Sequence, residues 1–183
     1  TRPVLGKDLV AVTQLYGCLV SDACWLLGLS ITKWTQIVRN HPNEPVADPS
    51  LALMVRLLLN HPELNPIPKF PTAEEMQALV QESLTVDGKT FSVLFGAEAS
   101  ASGRWLRPGA RVAPSVSRLM HQLRLVLLQA PPDRRTQILD DWRKTVAKEG
   151  AARGVPNVFK EGAWTTAEMR AARHAAQIGR AHV

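Results

Sequence analysis

Residues 20–39 read VSDACWLLGLSITKWTQIVR, and the rest of the chain is parsed outward from them. Two short helical runs flank Gly28: Ser21 stands as the cap of a helix through Leu27, and Ser30 caps a second one from Ile31 to Arg39. With Gly28 as a left-handed turn, Ala23, Leu27, Leu29, Trp34 and Ile37 fall on inward positions, and the residue four places before it is the small Cys24. Two helices that cross steeply need just such a set: a small residue where they approach, a glycine in the turn, and apolar residues pinning both to a core.

The flanking segments extend the pattern. Before it, residues 8–16 place Leu9, Val12, Leu15 and Tyr16 on one helical face between Gly6 and Gly17. After it comes a loop with Pro42 and Pro45, then Asp48 and Pro49 in N-cap and N1 positions ahead of a helix over 50–60. From about residue 8 to 61 the chain resembles the lambda-repressor-like, or XRE-type, helix-turn-helix family, with DPSLALMVRLLL (48–59) similar to the helix that closes the family's core. It departs from the family in having Cys24 where alanine is usual and in a long 40–48 loop. The resemblance implies that Ser30, Ile31, Thr32, Thr35, Gln36 and Arg39 face the major groove of double-stranded DNA, with Lys33 on a phosphate. The side-chain chemistry suits groove contact, since Gln pairs with adenine, Arg with guanine or phosphate, and Ile with a thymine methyl.

Pro62, Pro66, Pro68 and Pro71 mark 63–71 as an extended linker after a first unit of 1–62. The punctuation then repeats over 72–131. Thr72 and Glu75 form a capping box for a helix through Leu84, Lys89 to Phe95 is a short helix ended by Gly96, and Pro114-Ser115 opens a helix to Gln129. Aligning Gly96 with Gly28 matches Phe91 and Phe95 to Ala23 and Leu27, Ser92 to Cys24, Ala97 to Leu29, and Trp105 to Ile37. RWLRPG (104–109) resembles the run that ends recognition helices in the same family, but Ser102 stands where an apolar residue is expected. The resemblance places Ser100, Arg104, Arg107 and Arg111 of this divergent copy on DNA. Its other outward residues, Glu98, Ala99 and Gly103, are poor base readers, so DNA contact and a protein-binding role stay equally open for it.

Residues 132–183 read as an appended helical tail. Ile138, Leu139, Trp142 and Val146 form one stripe stopped by Gly150, residues 154–162 are irregular, and an Ala-rich helix over 165–178 is capped by Thr165 or Thr166. The five tryptophans read as core or interface anchors. Lys and Arg number 22 against 16 Asp and Glu, for a formal net charge of +6, which favours a polyanionic partner. The excess is +1 in 1–70, +1 in 71–131 and +4 in 132–183, so the first two segments must recognise such a partner by placed residues.

Strand-like alternation is nowhere sustained, and the expected fold is all-α: tandem helix-turn-helix units with a C-terminal helical extension. Cys18 and Cys24 with five scattered histidines offer no metal-ligand spacing, and no nucleophile, phosphate-loop or dinucleotide motif occurs. No metal, cofactor or enzymatic activity is therefore expected. The apolar run around 51–59 is too short to span a bilayer, so the expected setting is cytoplasmic without a membrane partner. The resemblance implies a transcriptional regulator from a bacterial, plasmid or phage context, alone or as a homodimer. Beside it stand two alternatives: an adaptor that binds a regulatory protein partner, and an accessory protein of plasmid or phage partition, replication or transfer.

Overall fold

A computed structural model describes residues 2–180 of the chain. Eleven α-helices make up the regular structure of these residues, joined by short 3-10 and π turns, and no strand occurs among them. The fold is all-α. It divides into two compact units, Thr1–Lys69 and Phe70–Val183.

In the first unit a 3-10 turn, Gly6–Leu9, leads into α1 (Val10–Tyr16), followed by α2 (Val20–Leu27), α3 (Ile31–Thr35) and α4 (Pro49–Asn60). Leu9, Val12, Ala23, Cys24, Leu27, Trp34, Leu51, Val55 and Leu58 fill its core. Asp48 caps α4 by accepting the Ser50 N–H at 2.8 Å, and Pro49 follows where its missing N–H is harmless. The loop over 41–48 is tied to the amino-terminal strap: Gly6 N–H donates to Glu44 O at 3.1 Å, Lys7 N–H to Pro42 O at 2.9 Å, and Val46 N–H to Val4 O at 2.8 Å.

The second unit contains α5 (Ala73–Gln81), α6 (Gly88–Leu94), α7 (Ala101–Trp105), α8 (Pro114–Gln129), α9 (Arg135–Ala152), α10 (Val158–Glu161) and α11 (Ala167–Arg180). The Thr72–Glu75 capping box forms: Glu75 N–H donates to Thr72 Oγ1 at 3.1 Å and Thr72 N–H to Glu75 Oε2 at 2.9 Å. α6 begins one residue earlier than its periodicity predicts, because Asp87 caps it by accepting the Thr90 N–H at 2.7 Å. That hydrogen bond holds the Asp87 carboxyl below its ordinary pKa.

Three expectations for 132–183 need correction. Leu139, Val146, Val155 and Val158 share one core with Met76, Val80, Phe91, Leu94, Met120 and Leu127, so the segment is part of the second unit and not an appendage. Gly150 does not stop α9 but lies buried within it, where a Cβ would come within 2.7 Å of the Val158 side chain. Residues 154–162, expected to be irregular, hold the short helix α10, capped by Asn157 through the Lys160 N–H at 3.1 Å.

Both ends of the 63–71 linker also belong to neighbouring units. Tyr16 donates its hydroxyl to Leu64 O at 3.1 Å in the first unit, while in the second Phe70 packs edge-on to His121 at 4.8 Å and Pro71 is buried. Among the described residues no single helix is long and apolar enough to cross a membrane.

Candidate nucleic-acid interface

The turn between α2 and α3 is built from its backbone. Gly28 takes φ +68°, a conformation that costs a residue with a Cβ roughly 1 kcal/mol or more. Leu29 N–H then reaches back to Cys24 O at 2.8 Å and Gly28 N–H to Trp25 O at 3.2 Å, which satisfies the last carbonyls of α2. Cys24 is buried among the core residues, and burial pushes its thiol pKa up, so it serves as a small neutral side chain at the crossing. Ser21 is not the cap of α2. The helix starts at Val20, and the Asp22 carboxylate folds back to accept the Leu19 N–H at 3.3 Å.

α3 is capped by Ser30, whose hydroxyl accepts the Lys33 N–H at 3.1 Å. Trp34 is buried and Ile37 packs against the same core. Helical spacing then sets Thr32, Gln36 and Arg39 along the opposite meridian, all exposed, with Ile31 exposed on one flank and Lys33 on the other. Thr35 is only half exposed, because the outward arc narrows beside the core-facing Val38.

The segment over 31–40 is not one regular helix. After Thr35 it widens into a π turn, Gln36–Asn40, closed by the His41 N–H to Gln36 O bond at 3.1 Å. Gly6 lies against this turn, where a Cβ would meet the carbonyls of Ile37 and His41. Lys33 and Gln36 share a hollow of about 310 Å³ with Glu44 and Asp48, so the carboxylates of the loop flank of α3 reach as far as Gln36, while Thr32 and Arg39 lie outside that hollow.

The Gly96 turn matches the one at Gly28, and the helix after it differs. Gly96 has φ +77°, Ala97 N–H donates to Ser92 O at 3.0 Å, and Gly96 N–H donates to Val93 O at 3.0 Å, the same pair of bonds as at Gly28. α7 nevertheless starts five residues after Gly96, against three from Gly28 to α3. Ser102, placed where an apolar residue was expected, is buried, and its backbone N–H donates to Ser92 Oγ at 2.9 Å, while that Ser92 hydroxyl donates to Gly88 O at 2.8 Å. Ala99, predicted to point outward, is tied down by its N–H to Gly162 O at 2.8 Å.

Ser100, Arg104, Arg107 and Arg111 are exposed. The three arginines line one shallow hollow with Trp105 and Pro108, and no carboxylate lines it. Among the described residues none of the three forms an ion pair, and Arg104 reaches only Ser100 Oγ, at 3.4 Å. Guanidinium groups in this state suit phosphate oxygens.

Of the two roles expected for the tryptophans, core or interface, Trp25 does not take the first: it is 64% exposed on α2, with Leu19 and Val20 exposed at the start of the same helix. The core positions on α2 are Ala23, Cys24 and Leu27, and Trp25 falls between them on the wrong side of the helix.

Among the described residues no cluster of three or more His, Cys, Asp or Glu is placed to hold a metal ion. In comparison with known proteins, no family model, no curated protein and no solved structure matches this chain.

Proposed function

We propose that the chain binds double-stranded DNA sequence-specifically, reading the major groove with Thr32, Gln36 and Arg39 from the segment over 30–39. The observation that carries this reading is the coincidence of a tight glycine turn, a small residue buried at the α2–α3 crossing, and an exposed polar meridian opposite the buried Trp34. Ser30 acts first as a helix cap, and Ile31 and Lys33 flank the reading set. Arg104, Arg107 and Arg111 hold the phosphate backbone without reading sequence, since their hollow is cationic and offers no fixed base-reading geometry. Regulation of transcription is the use implied by the resemblance to lambda-repressor-like proteins.

A protein-binding adaptor is the second reading. It is favoured by one observation: the first unit exposes Trp25, Leu53 and Leu57, large apolar side chains that DNA contact leaves unused.

The test is selection of random duplex DNA at fixed salt, followed by titration of the selected site. Gln36→Ala and Arg39→Ala should each weaken the selected site by about 1 to 3 kcal/mol and leave random duplex almost unchanged. Arg107→Ala should weaken both alike and reduce the salt slope by about 1. If no motif is enriched, or if Gln36→Ala weakens both duplexes equally, the reading helix is misassigned and the adaptor reading takes its place.

A further inference from the structure

The amino-terminal strap lies directly behind the segment that carries the reading residues, and it is fixed at both ends. Val4 and Leu9 bury their side chains in the core of the first unit. Arg2, paired with Asp8 at 2.6 and 2.8 Å, has its own carbonyl held by Arg56 Nη2 at 2.7 Å. Between these anchors the Gly6, Lys7 and Val46 amides lace the strap to the loop over 42–46, and Lys7 Nζ donates to Asn43 Oδ1 at 3.0 Å. Gly6 itself is buried at the point where this backbone meets the π turn.

The two backbones approach so closely there that only a glycine fits. A Cβ on Gly6 would overlap Ile37 O and stand 2.7 Å from His41 O, and no change of rotamer can move a carbonyl aside. The hydrogen bonding of 36–41 follows from this approach. In an α-helix the His41 N–H would bond to Ile37 O, four residues back; here it bonds to Gln36 O at 3.1 Å, and Ile37 O lies against Gly6 instead. The extra residue in the turn resets the direction of the side chains that follow Gln36. Arg39 is exposed and forms no ion pair among the described residues, so its aim is that of the backbone beneath it.

We infer that Gly6 is a positioning residue for sequence reading: its missing side chain lets the strap hold the π turn open, and the open turn aims Arg39 at its base pair. This rests on the DNA reading of 30–39 and adds to it a determinant from outside the reading segment. A side chain at position 6 displaces the carbonyls of Ile37 and His41, and Arg39 with them, because the strap is anchored on both sides. Thr32 precedes the turn and Gln36 opens it, so both keep their direction.

Random duplex DNA is selected at fixed salt with the full chain, and single-position variants of the selected site locate the base pairs whose preference Gln36→Ala and Arg39→Ala each abolish. Gly6→Ala should weaken the selected site about tenfold, with the loss confined to the base pairs of Arg39. Gly6→Ala combined with Arg39→Ala should then bind no more weakly than Arg39→Ala alone, while combined with Gln36→Ala it adds its loss in full. A side chain that only unsettled the fold would blunt every preference and add to both. Where circular dichroism shows Gly6→Ala to be unfolded, Arg2→Ala decides in its place: it changes an exposed residue, frees one end of the strap, and should give the same pattern at about threefold. The inference is overturned if the loss in the deciding variant is absent, is spread over all positions, or adds to that of Arg39→Ala. If the unaltered chain enriches no motif, the DNA reading falls and this inference with it; if a motif is enriched and the deciding variant reads it unchanged, only the role of Gly6 falls.

Discussion

Asp8 shows how much one side chain can organise. Its carboxylate accepts Arg2 Nη1 at 2.6 Å and Nη2 at 2.8 Å, and also the Leu5 N–H at 2.8 Å at the head of the 3-10 turn. The bidentate Arg2 contact is the main reason its pKa falls to about 2. An unfolded Asp titrates near 3.9, so the carboxylate stabilises the fold above about pH 4, and this contribution is lost as pH falls through about 2. Arg2 is largely exposed, which limits the effect at neutral pH to the order of 1 kcal/mol. Asp8→Asn should therefore lower the melting temperature of the first unit at pH 7, with the two proteins converging toward pH 2. A gap that stays constant across that range would mean that the carboxylate charge is not what Arg2 holds.

At the scale of elements, α4 carries two apolar faces of unlike consequence. Leu51, Val55 and Leu58 point into the core, while Leu53 is 66% exposed and Leu57 is exposed beside it. Leu58→Ala should cost about 2 to 5 kcal/mol through lost burial and a residual cavity. Leu53→Lys should change stability by no more than about 0.5 kcal/mol, because its side chain already meets water. Urea titration of both variants checks this, and equal losses would mean that the outer face is buried against something. The periodicity of 50–60 identifies a helix but not which leucines are inside, since nearly every position that could face the core is apolar. The π turn at 36–40 was likewise illegible. It answers the close approach of Gly6, some thirty residues earlier in the chain.

For the molecule as a whole, the consequential feature is the sharing of one core by residues 70–131 and 132–183. Leu139, Val146, Val155 and Val158 are all nearly inaccessible to solvent within it. Trp142 and Lys89 add ties of their own, the latter donating Nζ to Lys160 O at 2.5 Å. Ending the chain at residue 131 should leave 70–131 without cooperative structure, with resonance dispersion in a 15N spectrum kept for the first unit and lost for the second. Full dispersion from 72–131 in that truncation would restore the tail to the status of an appendage.

What the sequence determined by itself was local. Gly28 and Gly96 as left-handed turns, Cys24 and Ser92 as small crossing residues, the Thr72–Glu75 box and the Pro49 and Pro114 helix starts depend on contacts within about five residues, where backbone sterics and capping chemistry suffice. Tertiary structure alone decided what depends on distant partners. It turned Trp25 outward, buried Gly150 against Val158, and closed Ala99 onto Gly162. A helix stripe states that a face is apolar and leaves its partner open. The pocket between Trp142 and Trp164 exists only because α9 and the segment before α11 pack beside Leu94 and Leu119 on one core.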